Sequence, residues 1–184
     1  MNQKTKVNDY ILIDNYLSVK ECDHLIRLYK TKEFVPHGWY NVETNTARND
    51  PTDCSVADTD INFLDVLSPA IEKALRDYSN KISKERLYSK MSKPRLNKYG
   101  EGKDMKEHYD HIHSLFDGTD KGIPILSIVG LLNDNFTGGG FCVNGKDMKL
   151  KKGDIIIFPS NFLYRHEVKT IKKGERYSYV SWAF

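Results

Sequence analysis

The chain changes its sequence pattern at Pro94, and this change limits the folds that it can adopt. Before Pro94, a short β-like run over residues 10–14 precedes two segments in which apolar residues recur at helical spacing. After Pro94, short apolar runs alternate with turns rich in glycine, asparagine and aspartate. Helices followed by many short strands predict an α+β domain, and short antiparallel strands that close on themselves form a jelly roll. We therefore predict a double-stranded β-helix (jelly roll) core with the N-terminal helices packed on one sheet.

Two helices are predicted in the N-terminal part. Ser18 and Glu21 form a capping box, which predicts that a helix starts there. The apolar residues expected on its buried face are Cys22, Leu25, Ile26 and Tyr29. A second helix is predicted from about residue 61 to residue 78, and Pro69 is expected to kink or restart it. The strands predicted after Pro94 are 95–99, 108–112, 125–132, 140–144, 154–158, 166–168 and 175–182.

Residues 34–59 are polar and irregular, with prolines, a glycine and several asparagines and aspartates. This composition predicts a long mobile loop. Loops of this length are uncommon in compact domains unless they serve as lids or binding segments. We therefore expect residues 34–59 to gate access of a substrate.

The length of 184 residues predicts one domain, with N-terminal helical support over about residues 1–92 and the jelly-roll core over about 93–184. Lysine and arginine number 28 and aspartate and glutamate 25, so the net charge is +3. This mild excess does not indicate nucleic acid or a membrane surface as a partner. Basic residues do cluster over residues 81–98, which are either a patch for an acidic ligand or a solvated helix end and linker.

The three cysteines are widely spaced and odd in number, which favours reduced thiols over a disulfide framework. The first residues lack the apolar run of a signal peptide, and no stretch reaches the length of a membrane span. We therefore expect a cytoplasmic protein without a membrane partner.

A metal site is predicted from three residues of the β-rich part. Residues two apart in a strand point to the same side, so His108 and Asp110 can offer an imidazole and a carboxylate to one ion. His166 can supply a second imidazole from a distant strand. Two histidines and one carboxylate on one face of a metal leave the opposite positions open, an arrangement typical of non-haem Fe(II) oxygenases. A zinc cupin would instead be expected to have a third histidine in place of Asp110.

The other histidines lack such a pattern. His111 falls on the opposite strand face from His108, and His113 lies past the expected strand end. His24 lies in the first predicted helix and His37 in the predicted loop, and neither has a partner pattern. We assign none of these four residues to the metal.

Several blocks of sequence occur in a fixed order after residue 98. They are Tyr99-x-x-Gly102, His108-x-Asp110, residues 132–139, residues 152–159, His166, Arg176-x-Ser178 and Trp182. With these blocks, the chain resembles the Fe(II)/2-oxoglutarate-dependent dioxygenases, in particular their prolyl hydroxylase branch. The resemblance is close over residues 99–184 and looser over residues 11–25.

The resemblance implies Fe(II) bound by His108, Asp110 and His166, with 2-oxoglutarate and O₂ as co-substrates and ascorbate as a candidate reductant. A guanidinium fork matches a carboxylate with two hydrogen bonds, so Arg176 suits the distal carboxylate of 2-oxoglutarate, with Ser178 beside it on the same strand face. The resemblance implies this role for Arg176, and it implies that the phenol of Tyr99 also holds 2-oxoglutarate. It implies decarboxylation of 2-oxoglutarate to succinate with hydroxylation of a substrate, and the presence of Asp110 favours hydroxylation over halogenation.

The resemblance implies a prolyl residue in a peptide or protein as the leading substrate. Trp182 matches an aromatic residue of the prolyl hydroxylase pattern that faces the substrate. Many prolyl hydroxylases have a tyrosine at the position of Met105 and an arginine near that of Pro124, both on the substrate side. This chain has neither. Hydroxylation of a free amino acid or other small molecule, and dealkylation of nucleic acid, remain as alternatives, although no aromatic platform accompanies the basic segment 81–98. The non-enzyme alternative is a jelly-roll binding module.

Overall fold

A computed structural model of the chain describes residues 10–41, 46–110 and 122–184. The two helices of these residues are α1 (Val19–Tyr29) and α2 (Ile61–Ile82). The strands are β1 (Leu12–Asn15), β2 (Val35–Pro36), β3 (Gly38–Asn41), β4 (Thr46–Asn49), β5 (Ser55–Asp58), β6 (Arg95–Tyr99), β7 (Met105–His108), β8 (Leu126–Leu131), β9 (Thr137–Gly138), β10 (Phe141–Val143), β11 (Lys146–Asp147), β12 (Asp154–Pro159), β13 (His166–Val168), β14 (Ile171–Lys173) and β15 (Arg176–Ala183).

The strands form two main sheets. The larger sheet has seven strands in the order β1-β12-β8-β15-β6-β5-β2, and the smaller has four in the order β11-β10-β13-β7. Two further pairs, β14 with β9 and β3 with β4, form short ribbons. All these strand pairs are antiparallel. The predicted α+β fold with a double-stranded β-helix core is confirmed.

Strand β12 shows how the layers are arranged, because its residues alternate between two apolar clusters. Ile155 and Ile157 are fully buried in the cluster that contains the apolar faces of both helices. Ile156 and Phe158 are buried in a second cluster, with residues of the smaller sheet. Since successive strand residues point to opposite faces, the helices cover one face of the larger sheet and the smaller sheet covers the other. The second cluster therefore lies between the two sheets.

Helix α1 begins as the sequence predicts. The side chain of Ser18 accepts a hydrogen bond from the Glu21 backbone at 3.3 Å, and the Glu21 carboxylate accepts one from the Ser18 backbone at 2.7 Å. These bonds satisfy two of the backbone N–H groups that a helix start leaves without partners. The buried residues of the helix are Cys22, Leu25 and Tyr29, whereas Ile26 is only half-buried.

Helix α2 runs through Pro69 without restarting, so the predicted restart is wrong. Proline inside a helix costs about 3 kcal/mol, because it removes one hydrogen bond and crowds the preceding turn. The apolar face, however, continues on both sides of the proline. Its buried members include Phe63, Leu67, Ile71 and Leu75. Burial of each such side chain contributes about 1.5–3 kcal/mol, which together outweighs the cost of the proline.

The prediction of an irregular loop over residues 34–59 is wrong. The described part of this segment contains the four strands β2, β3, β4 and β5, and residues 42–45 lie outside the described residues. Strand β5 pairs with β6 along its whole length, and β3 pairs with β4. The polar composition of the segment concealed these strands, and β5 was further concealed because its partner β6 lies far away in the sequence. Closure of this segment over a substrate stays a prediction.

Six of the seven strands predicted after Pro94 lie at or near their predicted positions, whereas the short strands β9, β11 and β14 were not predicted. Strand β7 ends at His108, whereas the prediction had a strand begin there. The pairing explains the difference, since β7 pairs with β13 from Met105 to His108 and exposes Lys106 and Glu107 in between. The predicted continuation of this strand to residue 112 lies outside the described residues, as do the predictions for His111 and His113. Neither described helix is long and apolar enough to cross a membrane.

Candidate active site

Two histidines face each other across the pair of strands β7 and β13. His108 and His166 are direct partners in the register of this pair, and the centroids of their rings lie 4.3 Å apart. Residues opposite each other on antiparallel strands have neighbouring side chains. The strand pairing therefore brings together two histidines that are far apart in the sequence.

Backbone hydrogen bonds fix which nitrogen of each imidazole faces the site. The Nδ1 atom of His108 lies 2.7 Å from the backbone oxygen of Lys106, and Nδ1 of His166 lies 3.1 Å from that of Tyr164. A carbonyl oxygen only accepts, so each Nδ1 must carry the proton and donate it. When such a ring is neutral, its Nε2 atom has the lone pair, which is the form that binds a metal.

Asp110 lies two residues beyond the end of β7 and completes the group. Its Oδ1 atom is 3.6 Å from Nε2 of His108, and its Oδ2 atom is 3.6 Å from Nε2 of His166. The hydroxyl of Ser127 donates to Oδ2 at 2.5 Å and thereby orients the carboxylate. The three ligand atoms all lie within 4.8 Å of one another. Bonds of about 2.1 Å from one ion would span the two 3.6 Å separations.

The protonation states of two of these residues suit a cation. Burial, together with the neighbouring His166, lowers the pKa of His108 to about 4, so its imidazole is neutral at pH 7. Burial alone would raise the pKa of the Asp110 carboxyl, but the two imidazoles and Ser127 outweigh it and hold this pKa below its usual range. Asp110 is therefore ionised, and the site offers one negative charge beside the neutral imidazole of His108.

Arg176 is a buried cation with spare hydrogen-bonding capacity in the same cavity. Its side chain is 1% exposed, and its Nη1 atom donates to the hydroxyl of Ser178 at 2.6 Å. Its Nε and Nη2 atoms have no hydrogen-bond partner among the described residues. A buried polar group without a partner costs about 1–3 kcal/mol, and more if it is charged. The geometry therefore fits an anionic ligand that accepts from Arg176.

The cavity between the two sheets brings together the sequence-predicted site residues. Tyr99 and Met105 line it and are 2% and 5% exposed, and Trp182 lines it from β15. The guanidinium carbon of Arg176 lies 5.2 Å from the centroid of the Tyr99 ring. Burial raises the pKa of Tyr99 well above its usual value, so its phenol is neutral and can donate a hydrogen bond. All eight residues that the sequence assigned to metal, co-substrate and substrate line this cavity. They are Tyr99, Met105, His108, Asp110, His166, Arg176, Ser178 and Trp182.

A family comparison identifies the protein. Residues 94–184 match the model of the 2OG-Fe(II) oxygenase superfamily, and this segment contains the whole group of His108, Asp110, His166 and Arg176. The chain belongs to the 2OG-Fe(II) oxygenase superfamily. It is an Fe(II)- and 2-oxoglutarate-dependent dioxygenase, and the prediction of an enzyme using Fe(II), 2-oxoglutarate and O₂ is confirmed.

Solved structures show that the oxygenase shares its fold with prolyl hydroxylases. A Trichoplax adhaerens prolyl hydroxylase, in complex with a peptide of the hypoxia inducible factor oxygen degradation domain, is 19% identical with a TM-score of 0.73 over 96% of this chain and 84% of that one. The viral collagen prolyl hydroxylase of Paramecium Bursaria Chlorella virus-1 is 21% identical with a TM-score of 0.68 over 95% of both chains. A Pseudomonas putida prolyl-4-hydroxylase is 18% identical with a TM-score of 0.67 over 94% and 91%. No curated protein sequence matches the oxygenase significantly.

Sequence analysis missed several residues around the site of the oxygenase. Trp39 packs against His108, and its indole donates to the carboxylate of Asp53, which also lies 3.4 Å from Nδ1 of His37. No local pattern marks these residues, because strand pairing brings them to the site. Arg95 and Asn97 also line the cavity. The two-residue period of β6 could have placed them there, since they share a face with Tyr99.

Proposed function

We propose that this oxygenase hydroxylates a prolyl residue in a peptide or protein and converts 2-oxoglutarate to succinate. The observation that carries the 2-oxoglutarate part is the pair of unpartnered nitrogens on buried Arg176, in the cavity that contains the histidine–aspartate group. The fold shared with three prolyl hydroxylases, one of them in complex with a peptide, supports the prolyl part.

His108, Asp110 and His166 are proposed as the ligands of Fe(II). The donor set of two imidazole nitrogens and one carboxylate oxygen fits this ion and leaves its other positions open. When bound, Fe(II) with 2-oxoglutarate and O₂ supplies the oxidising chemistry that replaces a C–H bond by C–OH. The protein holds the ligands rigidly, since Lys106, Tyr164 and Ser127 fix the two imidazoles and the carboxylate.

Arg176 and Ser178 are proposed to hold the distal carboxylate of 2-oxoglutarate. The spare Nε and Nη2 atoms of Arg176 present two parallel donors, which match the two oxygens of a carboxylate. Ser178 is 1% exposed and keeps the guanidinium in place through its bond to Nη1. The neutral phenol of Tyr99, below the guanidinium, is the third proposed contact. Burial strengthens these contacts because water does not compete for them.

Trp182 and Met105 are proposed to face the prolyl substrate. Both line the cavity, Trp182 from the outer end of β15 and Met105 from the start of β7. An aromatic ring and a thioether suit the apolar pyrrolidine ring of proline. An extended proline-containing peptide loses little conformational entropy on binding, because proline already restricts its backbone.

Succinate formation from a panel of substrates tests this function, with and without ascorbate as reductant. The panel contains proline-containing peptides, the free amino acids and alkylated oligonucleotides. We expect succinate to form in proportion to a peptide mass gain of one oxygen atom, located on proline by fragmentation. Coupled oxidation of a free amino acid or a nucleobase with inert proline peptides would contradict the prolyl assignment and favour the corresponding alternative.

A further inference from the structure

Two arginines lie at opposite ends of one face of the larger sheet. In the pairing of β15 with β6, Arg176 is opposite Tyr99 and Val180 is opposite Arg95. Arg95 and Tyr99 are four residues apart on β6, so the two arginines are separated by about 14 Å along the strands. Arg176 is buried at the inner end, whereas Arg95 is half-buried at the outer end.

The surroundings hold the Arg95 side chain in a defined position. Its Nε atom donates to the side-chain oxygen of Asn97 at 3.3 Å, and its guanidinium carbon lies 5.4 Å from the centroid of the Trp182 ring. Stacking on an indole fixes the plane of a guanidinium and leaves its terminal nitrogens available. Asn97 is 6% exposed, so this contact is anchored in the cavity wall.

Arg95 has no carboxylate partner in the part of the chain that the structure describes. None of the ion pairs among residues 10–41, 46–110 and 122–184 involves it. Asp58 is opposite Arg95 in the pairing of β5 with β6, but it is exposed and forms no ion pair with Arg95. The terminal nitrogens of Arg95 are therefore the second set of arginine donors in the cavity, besides those of Arg176.

Arg95 and Trp182 also connect the metal cavity to an outer groove. This groove has a volume of about 460 Å³. Its other lining residues are Asp58, Thr59, Ser92, Lys93 and Pro94. With one carboxylate and two cations, it carries a net positive charge. A substrate that reaches the metal through this groove passes the guanidinium of Arg95.

We propose that Arg95, stacked on Trp182, binds a carboxylate of the primary substrate next to the carbon that is oxidised. This inference rests on the proposed function and names its substrate class as anionic. Two carboxylates, one on each substrate, would then be held by two arginines at the two ends of one sheet face. The substrate carboxylate can belong to an aspartate or glutamate beside the proline, or it can be the C-terminal carboxylate of a chain that ends in proline. Both present the same two oxygens to the guanidinium.

Calorimetry of peptide binding to the protein loaded with Mn²⁺ and 2-oxoglutarate tests this inference. The peptide pair acetyl-Ala-Pro-Glu-Ala-amide and acetyl-Ala-Pro-Gln-Ala-amide tests a side-chain carboxylate. The pair acetyl-Ala-Pro with a free carboxylate and acetyl-Ala-Pro-amide tests a C-terminal one. A third pair, with leucine in place of proline in the glutamate and glutamine peptides, tests charge preference without proline.

The variants are Arg95→Gln and Arg95→Lys, with Arg86→Gln as the matched control. Arg86 also stacks on an aromatic ring, that of Tyr88 at 4.6 Å, but it lines a different groove. We expect at least one charged peptide to bind at least tenfold more tightly than its neutral partner, because a charge-assisted contact is gained. Arg95→Gln should reduce this ratio below threefold, Arg95→Lys should retain part of it, and Arg86→Gln should leave it unchanged. In turnover, Arg95→Gln should raise the KM for the charged peptide and leave the KM for the co-substrate unchanged.

The outcomes separate this inference from the proposed function. Prolyl peptides that bind and are hydroxylated equally well with and without the carboxylate would overturn the role of Arg95 and leave the proposed function standing. In a different outcome, the leucine peptide with glutamate binds more tightly than the one with glutamine, this preference depends on Arg95, and the prolyl peptides are not hydroxylated. That outcome would support carboxylate binding by Arg95 and contradict the proposed function. A charge preference that survives Arg95→Gln, or no binding by any charged peptide, would also overturn the inference.

Discussion

The indole ring of Trp39 packs edge-on against the imidazole of His108, with the ring centroids 5.0 Å apart and the planes at 79°. The indole nitrogen donates to the carboxylate of Asp53, which is 3% exposed. His37 also packs edge-on against Trp39, with a centroid distance of 4.9 Å. Strand β3 and its surroundings therefore form part of the wall that supports a proposed iron ligand.

Replacement of Trp39 by alanine should weaken metal binding. An edge-to-face aromatic pair contributes about 0.5–1.5 kcal/mol, so the affinity for Mn²⁺ should fall about two- to twelvefold. Trp39→Phe keeps the ring contact and should lose less than half of this free energy. Calorimetric titration with Mn²⁺ measures both variants. Equal affinities for the wild type and Trp39→Ala would show that the ring does not orient His108.

The contrast between β6 and residues 34–59 shows how much of the fold could be predicted from the sequence. Strand β6 was predicted at its observed bounds because its pattern is local. Trp39 and Asp53 were assigned to a loop because the ring contact of Trp39 with His108 and the bridge between Asp53 and Asp104 involve distant segments. Local composition cannot reveal such long-range pairing.

In the candidate site, too, the sequence predicted some features and could not predict others. Ordered motifs predicted that His108, Asp110 and His166 belong together, and the structure places their ligand atoms close to one another. The local geometry was predicted less well, since Asp110 lies beyond the end of β7 and not within a strand. The hydrogen bond from Ser127 could not be predicted, because a lone serine in a strand has no sequence pattern that indicates its partner.

Arg176→Ala should raise the KM for 2-oxoglutarate more than tenfold, because deletion of one partner from a buried charge-assisted pair costs about 2–5 kcal/mol. Arg176→Lys retains the charge but loses the planar fork, so its effect should be smaller. Steady-state titration with 2-oxoglutarate gives these constants, and Mn²⁺ affinity should change little in either variant. Arg86→Ala serves as the control for loss of a positive charge. An unchanged KM in Arg176→Ala would exclude Arg176 from co-substrate binding.

The stability of the metal-free protein should fall as the pH decreases from about 6.5 to about 4. Burial, reinforced by the positive charge of Arg95, lowers the pKa of His37 to about 4, whereas an unfolded histidine has a pKa of about 6.5. Between these values the unfolded state binds more protons, so the free energy of unfolding increases with pH. In His37→Gln, the decrease in the free energy of unfolding across this pH range should be smaller by on the order of 2 kcal/mol. Urea unfolding across this pH range gives the slopes, and identical slopes in both proteins would contradict the assignment.

Metal content, determined together with succinate formation for single alanine variants, tests the central claim most directly. His108→Ala, Asp110→Ala and His166→Ala should each lose stoichiometric Fe(II) and at least 99% of turnover, since removal of one of three ligands leaves the ion weakly held. His24→Ala is the matched control, because His24 is exposed on α1, and it should retain both properties. Mn²⁺, Co²⁺ and Zn²⁺ should occupy the wild-type site without supporting turnover. Full metal content and undiminished succinate formation in any of the three variants would contradict the claim that these residues form the iron site.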